Sequence, residues 1–398
     1  MQNSFPKNLQ KRLDIRSNNG ALRKLQNNET LEVPPSIDFQ SNDYLSFSKK
    51  GLLVSEAQKL LRKYTSQKET TQSGSGGSRL ISGNHELYPL CEQMIAKFHN
   101  SPAAVIYNSG YDANLGFFSC VPQKQDVIFY DAYIHASVRD GMQLSNAKTY
   151  GFAHNDFQNF KNKALRILKK TTGNTYLVIE SVYSMDGDSP TLEPFLDFCE
   201  LHNILVIIDQ AHDIGVFGKQ GKGLINKKGF EERFFARIIT YGKALGAHGA
   251  AILCSKLLYT YLINFSRSLI YTTALPKHSL AVIWSGYKQL KSLPETGLQK
   301  QLQNNIKHFK TEIQRLAINT YFIKSDSAIH CCVLKDTITV KTISNTLKAN
   351  GFLVKSVLPP TVPKGLERLR FCLHSSHSSS EISKMLTILA SCISNTNS

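Results

Sequence analysis

Reactive side chains follow three apolar runs in the middle of the chain. His135 comes after one run, Asp209 and His212 follow another, and Thr240 and Lys243 follow a third. A lysine at the end of a buried strand is partly desolvated, which lowers its pKa and lets it form a Schiff base. A buried aspartate can hold a cationic ring nitrogen, and an imidazole can stack on a flat ring. These residue types together indicate carbonyl chemistry on an aromatic cofactor.

Two further apolar runs end in small and hydroxylated residues. Ser109, Gly110 and Tyr111 stand where a strand turns into a helix, and backbone N–H groups at such a turn bind phosphate. Ser184 follows the other run. Taken alone, each group has an ordinary structural explanation, such as Asp209 capping a helix. Lysine, aspartate, phosphate cradle and stacking ring in combination describe a site for pyridoxal 5'-phosphate (PLP).

Five strands must bring these residues to one edge. A continuous apolar run, unlike an alternating one, is typical of a strand buried on both faces of a parallel sheet. The carboxyl ends of such strands meet where ligands bind in open α/β sheets. The pattern predicts a doubly wound, mostly parallel α/β sheet over residues 70–255. The predicted strands are 103–107, 126–130, 176–179, 204–208 and 237–241.

The pattern changes after residue 280. Residues 281–316 are polar with one apolar face, which predicts helix. A smaller α+β pattern follows, with strands at 328–334 and 368–373 and helices at 338–350 and 380–393. We therefore predict an N-terminal segment (1–45), a large cofactor-binding domain (46–280) and a smaller C-terminal domain (281–398).

Composition excludes several classes of protein. The 398 residues are 41% hydrophobic, which argues against a disordered chain. No run approaches the roughly 18 apolar residues of a membrane helix, so we expect a soluble, cytoplasmic protein without a membrane span. The eight cysteines form no C-x-x-C pair, and no metal site is predicted. The net charge of +17 leaves nucleic-acid binding as a remote alternative, but the basic residues are scattered and form no known module.

Ordered motifs over nearly the whole chain resemble the α-oxoamine synthases, PLP-dependent transferases of fold type I. The resemblance implies a large sheet domain, a smaller C-terminal domain and a homodimer with a shared active site. The segments that carry it are 41–45, 74–83, 108–114, 135–137, 152–156, 180–188, 209–212, 240–243, 269–273 and 368–370.

The resemblance also implies roles in binding and catalysis. Lys243 would hold the cofactor and act as general base, Asp209 would pair with the pyridine nitrogen, and His135 would stack on the ring. Ser184 and His212 would hydrogen-bond the ring 3-oxygen. The phosphate ligands would be Ser109, Gly110, Tyr111, Thr240 and, from the neighbouring subunit, Thr273.

The implied reaction is the decarboxylative condensation of an amino acid with an acyl thioester of CoA or acyl carrier protein. Arg370 would bind the amino-acid carboxylate, and Arg23 would face the acyl chain or a carboxylate. The motifs favour the branch of biotin biosynthesis, which joins L-alanine to a pimeloyl group. Branches that use glycine with acetyl-CoA, glycine with succinyl-CoA, or serine with a long acyl thioester stay open. Leu358 stands where some members of the biotin branch carry arginine, and Gln210 replaces a common acid.

Overall fold

The structure is a computed structural model that describes residues 5–18, 22–23, 25, 36–49, 51–64 and 73–396. The described strands are β1 (Ile37–Asp38), β2 (Ala103–Tyr107), β3 (Val127–Asp131), β4 (Lys148–Phe152), β5 (Thr175–Glu180), β6 (Ile204–Asp209), β7 (Ala236–Thr240), β8 (Ala250–Cys254), β9 (Ile329–Val333), β10 (Phe352–Leu353), β11 (Lys355–Val357) and β12 (Arg368–Cys372).

Helices connect most of these strands. The described helices are α1 (Lys7–Asn18), α2 (Leu52–Tyr64), α3 (Leu87–Phe98), α4 (Gly110–Cys120), α5 (Ala136–Leu144), α6 (Phe157–Leu168), α7 (Leu192–Leu201), α8 (Leu224–Lys228), α9 (Lys256–Phe265), α10 (Arg267–Ile270), α11 (Lys277–Lys291), α12 (Leu293–Thr296), α13 (Leu298–Arg315), α14 (Thr337–Ala349) and α15 (Ser379–Thr396).

A seven-stranded sheet forms the centre of the molecule. Its strand order is β2-β8-β7-β6-β5-β3-β4, and β8 is antiparallel to both of its neighbours while the other pairs are parallel. The inner strands β5 and β6 are buried along almost their whole length, as their uninterrupted apolar sequences require. The predicted α/β fold with a mostly parallel sheet is confirmed.

The five predicted strands are present within one or two residues of their expected limits, but the prediction left out β4 and β8. The sequence of β4, Lys-Thr-Tyr-Gly-Phe, shows no apolar run because this strand lies at the sheet edge and its first two residues are exposed. Strand β8 is apolar and runs antiparallel to its neighbours. The pattern of apolar residues does not show the direction in which a strand runs.

Helices cover both faces of the sheet. On one face, α4 and α5 pack through Phe117 and Val138, and on the other face α6 and α7 pack through Phe160 and Phe195. A third cluster joins α2, α3 and α11 to α13, α14 and α15 in the C-terminal part of the chain. The strand ends are therefore held rigidly, which fixes the side chains that follow them.

The C-terminal part forms a three-stranded antiparallel sheet, in the order β11-β12-β9, with α14 and α15. The predicted C-terminal strands and helices are confirmed. The stretch 281–316 is helical as expected, but it is divided into α11, α12 and α13, and Gly297 between the last two has a φ of 69°.

The N-terminal segment joins this C-terminal part through a short parallel pair. Strand β1 pairs with β10, and the N–H of Cys372 donates to the carbonyl of Phe39. Residues 39–45 are thereby brought from the start of the chain to the strand ends. The three predicted domain limits stay a prediction. Among the described residues, no helix is long and apolar enough to cross a membrane.

Candidate active site

Lys243 lies three residues beyond the end of β7 and faces His212. Its Nζ is 2.8 Å from Nε2 of His212. Burial lowers the pKa of Lys243 to about 8, although the nearby carboxylates of Asp209 and Glu180 act in the opposite direction. An amine with this pKa is partly neutral near physiological pH, so it can act as a nucleophile and as a base.

Asp209 and Glu180 end two neighbouring strands and stand opposite each other in the ladder. Oδ2 of Asp209 accepts a 2.9 Å hydrogen bond from Nδ2 of Asn114, and Oδ1 accepts one of 2.9 Å from the N–H of Ala211. Asn114 also donates to Oγ of Ser137 at 3.0 Å. The Asp209 side chain is buried, and two fixed donors set its orientation toward the site.

His135 caps the start of α5 and is tied to the same group of residues. Its N–H donates to Oε1 of Glu180 at 2.8 Å, and its Nδ1 lies 2.7 Å from Oγ of Ser137. The ring itself is exposed in the single chain. An open aromatic face held at one nitrogen is suited to stacking on a flat cofactor.

The start of α4 lies against the end of β7 and forms an anion cradle. A Cβ added at Gly110 would be 2.5 Å from Cγ2 of Thr240, so only glycine allows this approach. Oγ1 of Thr240 is buried and has no hydrogen-bond partner among the described residues, which is costly unless a ligand supplies one. A lone hydroxyl beside a helix N-terminus fits a phosphate group.

The two residues that flank Gly110 use their side chains elsewhere. Oγ of Ser109 accepts from the N–H of Asp112 at 3.1 Å and donates to its carboxylate at 2.7 Å, which makes Ser109 the N-cap of α4. The Tyr111 ring is exposed, and its hydroxyl bonds the side chain of Asp140. Any phosphate contact by Tyr111 would therefore come from its backbone N–H.

Arg370 on β12 is a buried guanidinium, 5% exposed. It donates to the carbonyl of Ser184 at 2.7 Å, to Oδ1 of Asn42 at 3.0 Å and to Sγ of Cys372 at 3.0 Å. In the described parts of the chain, Arg370 takes part in no ion pair. Because a buried cation without a carboxylate partner is unfavourable, Arg370 is suited to receive an anionic ligand.

His154 stabilises the loops around the site. Its Nδ1 lies 2.8 Å from Asp131 and its Nε2 lies 2.9 Å from Asp188. Burial opposes protonation, but the two carboxylates outweigh it and raise the pKa of His154 to about 10. His154, Asp186 and Asp188 are close enough to hold a metal ion, but a protonated imidazole has no free lone pair for a metal.

For three predicted site residues, the structure shows contacts that do not by themselves indicate a role in binding. Arg23 is exposed, and its Nη2 lies 3.4 Å from Oγ1 of Thr361. Thr273 is exposed, and its carbonyl accepts from Nδ2 of Asn108 at 2.8 Å. Ser184 is half-buried and meets Arg370 through its carbonyl. Their roles in binding stay predictions.

The sequence prediction missed four residues that the structure brings to the site: Asn42, Tyr44, Asn114 and Glu180. All four stand inside the recognised motifs, at 41–45, 108–114 and 180–188, and motif position was the available signal. No spacing rule connects residues 42 and 44 with Arg370, which lies more than 300 residues later.

The fold and this set of residues define a PLP-dependent enzyme of fold type I. The family description "Aminotransferase class I and II" matches residues 34–389. The chain belongs to this family and, as the relatives below indicate, to its α-oxoamine synthase branch, so PLP is its cofactor and acyl transfer to carbon is its class of reaction. The resemblance stated from the motifs is confirmed.

Named relatives share most of the chain. An 8-amino-7-oxononanoate synthase of Emericella nidulans is 36% identical over 375 residues, which cover 91% of this chain and 90% of the relative. The crystal structure of 8-amino-7-oxononanoate synthase from Francisella tularensis has a TM-score of 0.73 at 28% identity, covering 91% and 99%. Serine palmitoyltransferase of S. paucimobilis has a TM-score of 0.85 at 23% identity, covering 97% and 96%, a likeness of fold alone.

Proposed function

We propose that this chain catalyses the reaction of the 8-amino-7-oxononanoate synthases. L-Alanine would condense with the pimeloyl thioester of acyl carrier protein or CoA, with loss of CO2. The names of the relatives at 31–36% identity support this substrate pair. The observation that carries the chemistry is Lys243, with a pKa of about 8, beside Asp209 and within 2.8 Å of His212.

When bound, PLP supplies an aldehyde for the substrate amine and a ring that withdraws electrons from the α-carbon. Lys243 would bind the cofactor, and its amine would accept and return the α-proton of the amino acid. Asp209 would hold the ring nitrogen, since Asn114 and Ala211 fix its carboxylate. His135 would cover one ring face. Together they would align the α-carbon with Lys243.

Hydrogen-bond donors would fix the two ends of the cofactor. The start of α4 and Thr240 would bind the phosphate, because the buried Thr240 hydroxyl has no protein partner. Ser109 and Gly110 would shape this turn, and Tyr111 would offer its N–H. At the other end, His212 and Ser184 would hydrogen-bond the ring 3-oxygen.

Arg370 would bind the carboxylate of the amino acid. Its planar guanidinium can pair with two carboxylate oxygens, and its contacts to Asn42 and Ser184 hold the group in place. Decarboxylation after the condensation would then occur at the position that Arg370 sets. Arg23 would face the acyl chain.

A homodimer would complete the site. Apolar side chains near the cradle are exposed in the single chain: Leu80 by 63%, Ile81 by 85% and Tyr271 by 73%. Burying them against a second copy is favourable, and Thr273 would then reach the partner's phosphate. The proposed domain limits, at residues 45 and 280, would place this interface on the large domain.

A matrix of purified substrates tests the function. Alanine, glycine and serine are each paired with pimeloyl, acetyl, succinyl and palmitoyl thioesters, and thiol and CO2 release are followed with Lys243→Ala as the blank. We expect efficient turnover with alanine and a pimeloyl thioester. Turnover with glycine only, or with serine and the palmitoyl thioester, would assign the chain to another branch.

A further inference from the structure

A continuous line of hydrogen bonds, buried at its centre and part-buried toward both ends, links Lys243 to Arg370. Nζ of Lys243 is 2.8 Å from Nε2 of His212, and Nδ1 of His212 is 2.7 Å from the hydroxyl of Tyr44. The same hydroxyl is 3.2 Å from Oδ1 of Asn42, which also accepts from Nη2 of Arg370 at 3.0 Å. Tyr44 is the member of this line to which neither the sequence nor the proposed mechanism assigns a role.

The His212–Tyr44 pair at the centre of the line is buried, so its protons are confined to the partners just named. Tyr44 is fully buried and His212 is 3% exposed. Burial lowers the pKa of His212 well below its usual value, and the neighbouring charges of Lys243 and Arg370 lower it further. The ring is therefore neutral near pH 7, with one nitrogen that donates and one that accepts. Burial also raises the pKa of Tyr44, which keeps its proton.

The two ends of the line set its direction. The ammonium group of Lys243 can only donate, so Nε2 of His212 accepts and the ring proton is on Nδ1. Nδ1 then donates to the oxygen of Tyr44. The proton of Tyr44 points to Oδ1 of Asn42, an acceptor whose identity is fixed by the donor Arg370. Each donor in this order has one acceptor.

We propose that Tyr44 is a positioning residue for Lys243: its hydroxyl holds His212 in the tautomer with the proton on Nδ1, so that Nε2 accepts from the ammonium form of Lys243. The proposal rests on the proposed function, because Lys243 acts as the base there. A hydroxyl can also rotate and donate. The Tyr44 hydroxyl can therefore also donate to Nδ1 of His212, in the tautomer with the proton on Nε2, when Lys243 moves away from the ring.

Other groups face these three side chains, and one of them, Arg370, also hydrogen-bonds the Tyr44 hydroxyl. The titratable and charged neighbours of Lys243, His212 and Tyr44 are Asp209, Glu180, His135, Arg370, Cys331 and Cys372. In the described structure, the hydrogen-bond partner of Nδ1 of His212 is the hydroxyl of Tyr44. Removing this hydroxyl tests the tautomer without changing any of those charges.

The tautomer can be read by 15N NMR of full-length protein labelled at histidine and freed of cofactor. The His212 signals are identified by their loss in His212→Gln. In the wild type we expect a protonated Nδ1 and an unprotonated Nε2. In Tyr44→Phe we expect the two nitrogens to shift toward each other, because Nδ1–H loses its acceptor. A wild-type ring with the proton on Nε2 overturns the proposal, whether or not the variant folds.

The pKa of Lys243 gives a second readout, measured by competitive acetylation over a pH series with peptide mapping. Without Tyr44, Nε2 becomes a weaker acceptor and stabilises the ammonium less. Tyr44→Phe should lower the pKa of Lys243 by about half a pH unit, the size of one weakened hydrogen bond. An unchanged pKa together with an unchanged His212 spectrum would contradict the proposal.

Tyr287→Phe is the matched control. The Tyr287 hydroxyl is 2.9 Å from Nε2 of His99, so it forms a second buried tyrosine–histidine pair, one that has no contact with Lys243. This variant should leave the His212 signals and the pKa of Lys243 as in the wild type. Both measurements are made without substrate. A wrong assignment of the amino acid or acyl group would therefore leave their outcome unaffected.

Discussion

Two arginines on β12 have opposite surroundings. Arg368 pairs with the carboxylate of Asp186, and both are buried. Arg370, two residues later on the same face of the strand, donates to a carbonyl, an amide and a thiol. Because Arg368 already has its counter-ion while Arg370 has none among the described residues, Arg370 is the one suited to bind a substrate carboxylate.

Replacing Arg370 should weaken binding of the amino acid more than it slows the chemistry. A charge-assisted hydrogen-bond pair contributes about 1.5–3 kcal/mol, so Arg370→Ala should raise the KM for alanine about 10- to 100-fold. Steady-state kinetics with alanine as the varied substrate measure this. Arg370→Lys keeps the charge but loses the fork and should recover only part of the affinity.

The exposed Arg166 on α6 is the control for charge alone. Arg166→Ala should leave the KM for alanine within about twofold of the wild type, as expected for a surface change. Equal KM values for wild type and Arg370→Ala would exclude Arg370 as the carboxylate-binding residue.

The reactive residues were predictable from the sequence because each follows an apolar run directly. Lys243 and Asp209 lie within three residues of a strand end, where the sheet itself determines their location. Asn42 and Tyr44 were not predictable from the sequence, because they reach the site through the pairing of β1 with β10. That pairing joins residues more than 300 positions apart, a distance over which periodicity carries no information.

The contact between α4 and β7 fixes the phosphate cradle. Gly110 begins the helix against the side chain of Thr240, and the Thr240 hydroxyl is buried without a partner. Strand end and helix start therefore act as one unit. The glycine provides the close approach, and the threonine provides the hydroxyl.

Thr240→Val should weaken cofactor binding while preserving the shape of the cradle. Loss of one hydrogen bond to a charged phosphate predicts a Kd for PLP about tenfold higher. Absorbance titration of cofactor-free protein measures the Kd. Thr175→Val, a buried threonine at the opposite end of the sheet, is the matched control and should bind PLP as the wild type does. If the two variants bound PLP equally, the cradle would not hold the phosphate.

His154 ties the end of β3 to the loop after β5 through Asp131 and Asp188. Its pKa is about 10 when folded and about 6.5 when unfolded. The proton therefore stabilises the fold fully below pH 6.5, and this stabilisation is lost as the pH rises toward 10. His154→Gln should lower the free energy of unfolding by about 3 kcal/mol at pH 6.

Urea unfolding over pH 6 to 10 measures this effect. The difference between the wild type and His154→Gln should shrink steadily as the pH rises. The surface variant His278→Gln should follow the wild-type curve. A difference that stayed constant over the whole range would show that His154 does not carry its charge in the folded state.

Of the seven strands in the central sheet, five were predicted, whereas the edge strand β4 and the antiparallel strand β8 were missed. The inner strands β5 and β6 have almost uninterrupted apolar sequences, which indicate strands buried on both faces. The edge strand β4 is half exposed and was missed. The break between α12 and α13 lies at Gly297, whose positive φ a helical pattern does not reveal.

The whole molecule carries a net charge of +17. In the proposed reaction the acyl group arrives on CoA, which bears phosphates, or on an acidic carrier protein. A basic surface would attract either and raise the rate of encounter. The net positive charge, which left nucleic-acid binding as a remote alternative, would therefore attract the acyl donor.

Salt should slow the reaction with a carrier-protein substrate. The kcat/KM for pimeloyl carrier protein should fall about tenfold between low and high ionic strength, because salt screens the attraction. A pimeloyl thioester of a small neutral thiol is the control and should change little. The same salt response for both donors would rule out steering by the protein's charge.

Borohydride trapping of the cofactor is the most direct test of the site built around Lys243. The protein with PLP should absorb visible light, lose that absorption on reduction, and carry the reduced cofactor on the peptide that contains Lys243. Lys243→Ala should show neither the trapped cofactor nor turnover. Cofactor attached to a different lysine, or turnover that survives in Lys243→Ala, would contradict the assignment of Lys243 as the residue that binds the cofactor and moves the proton.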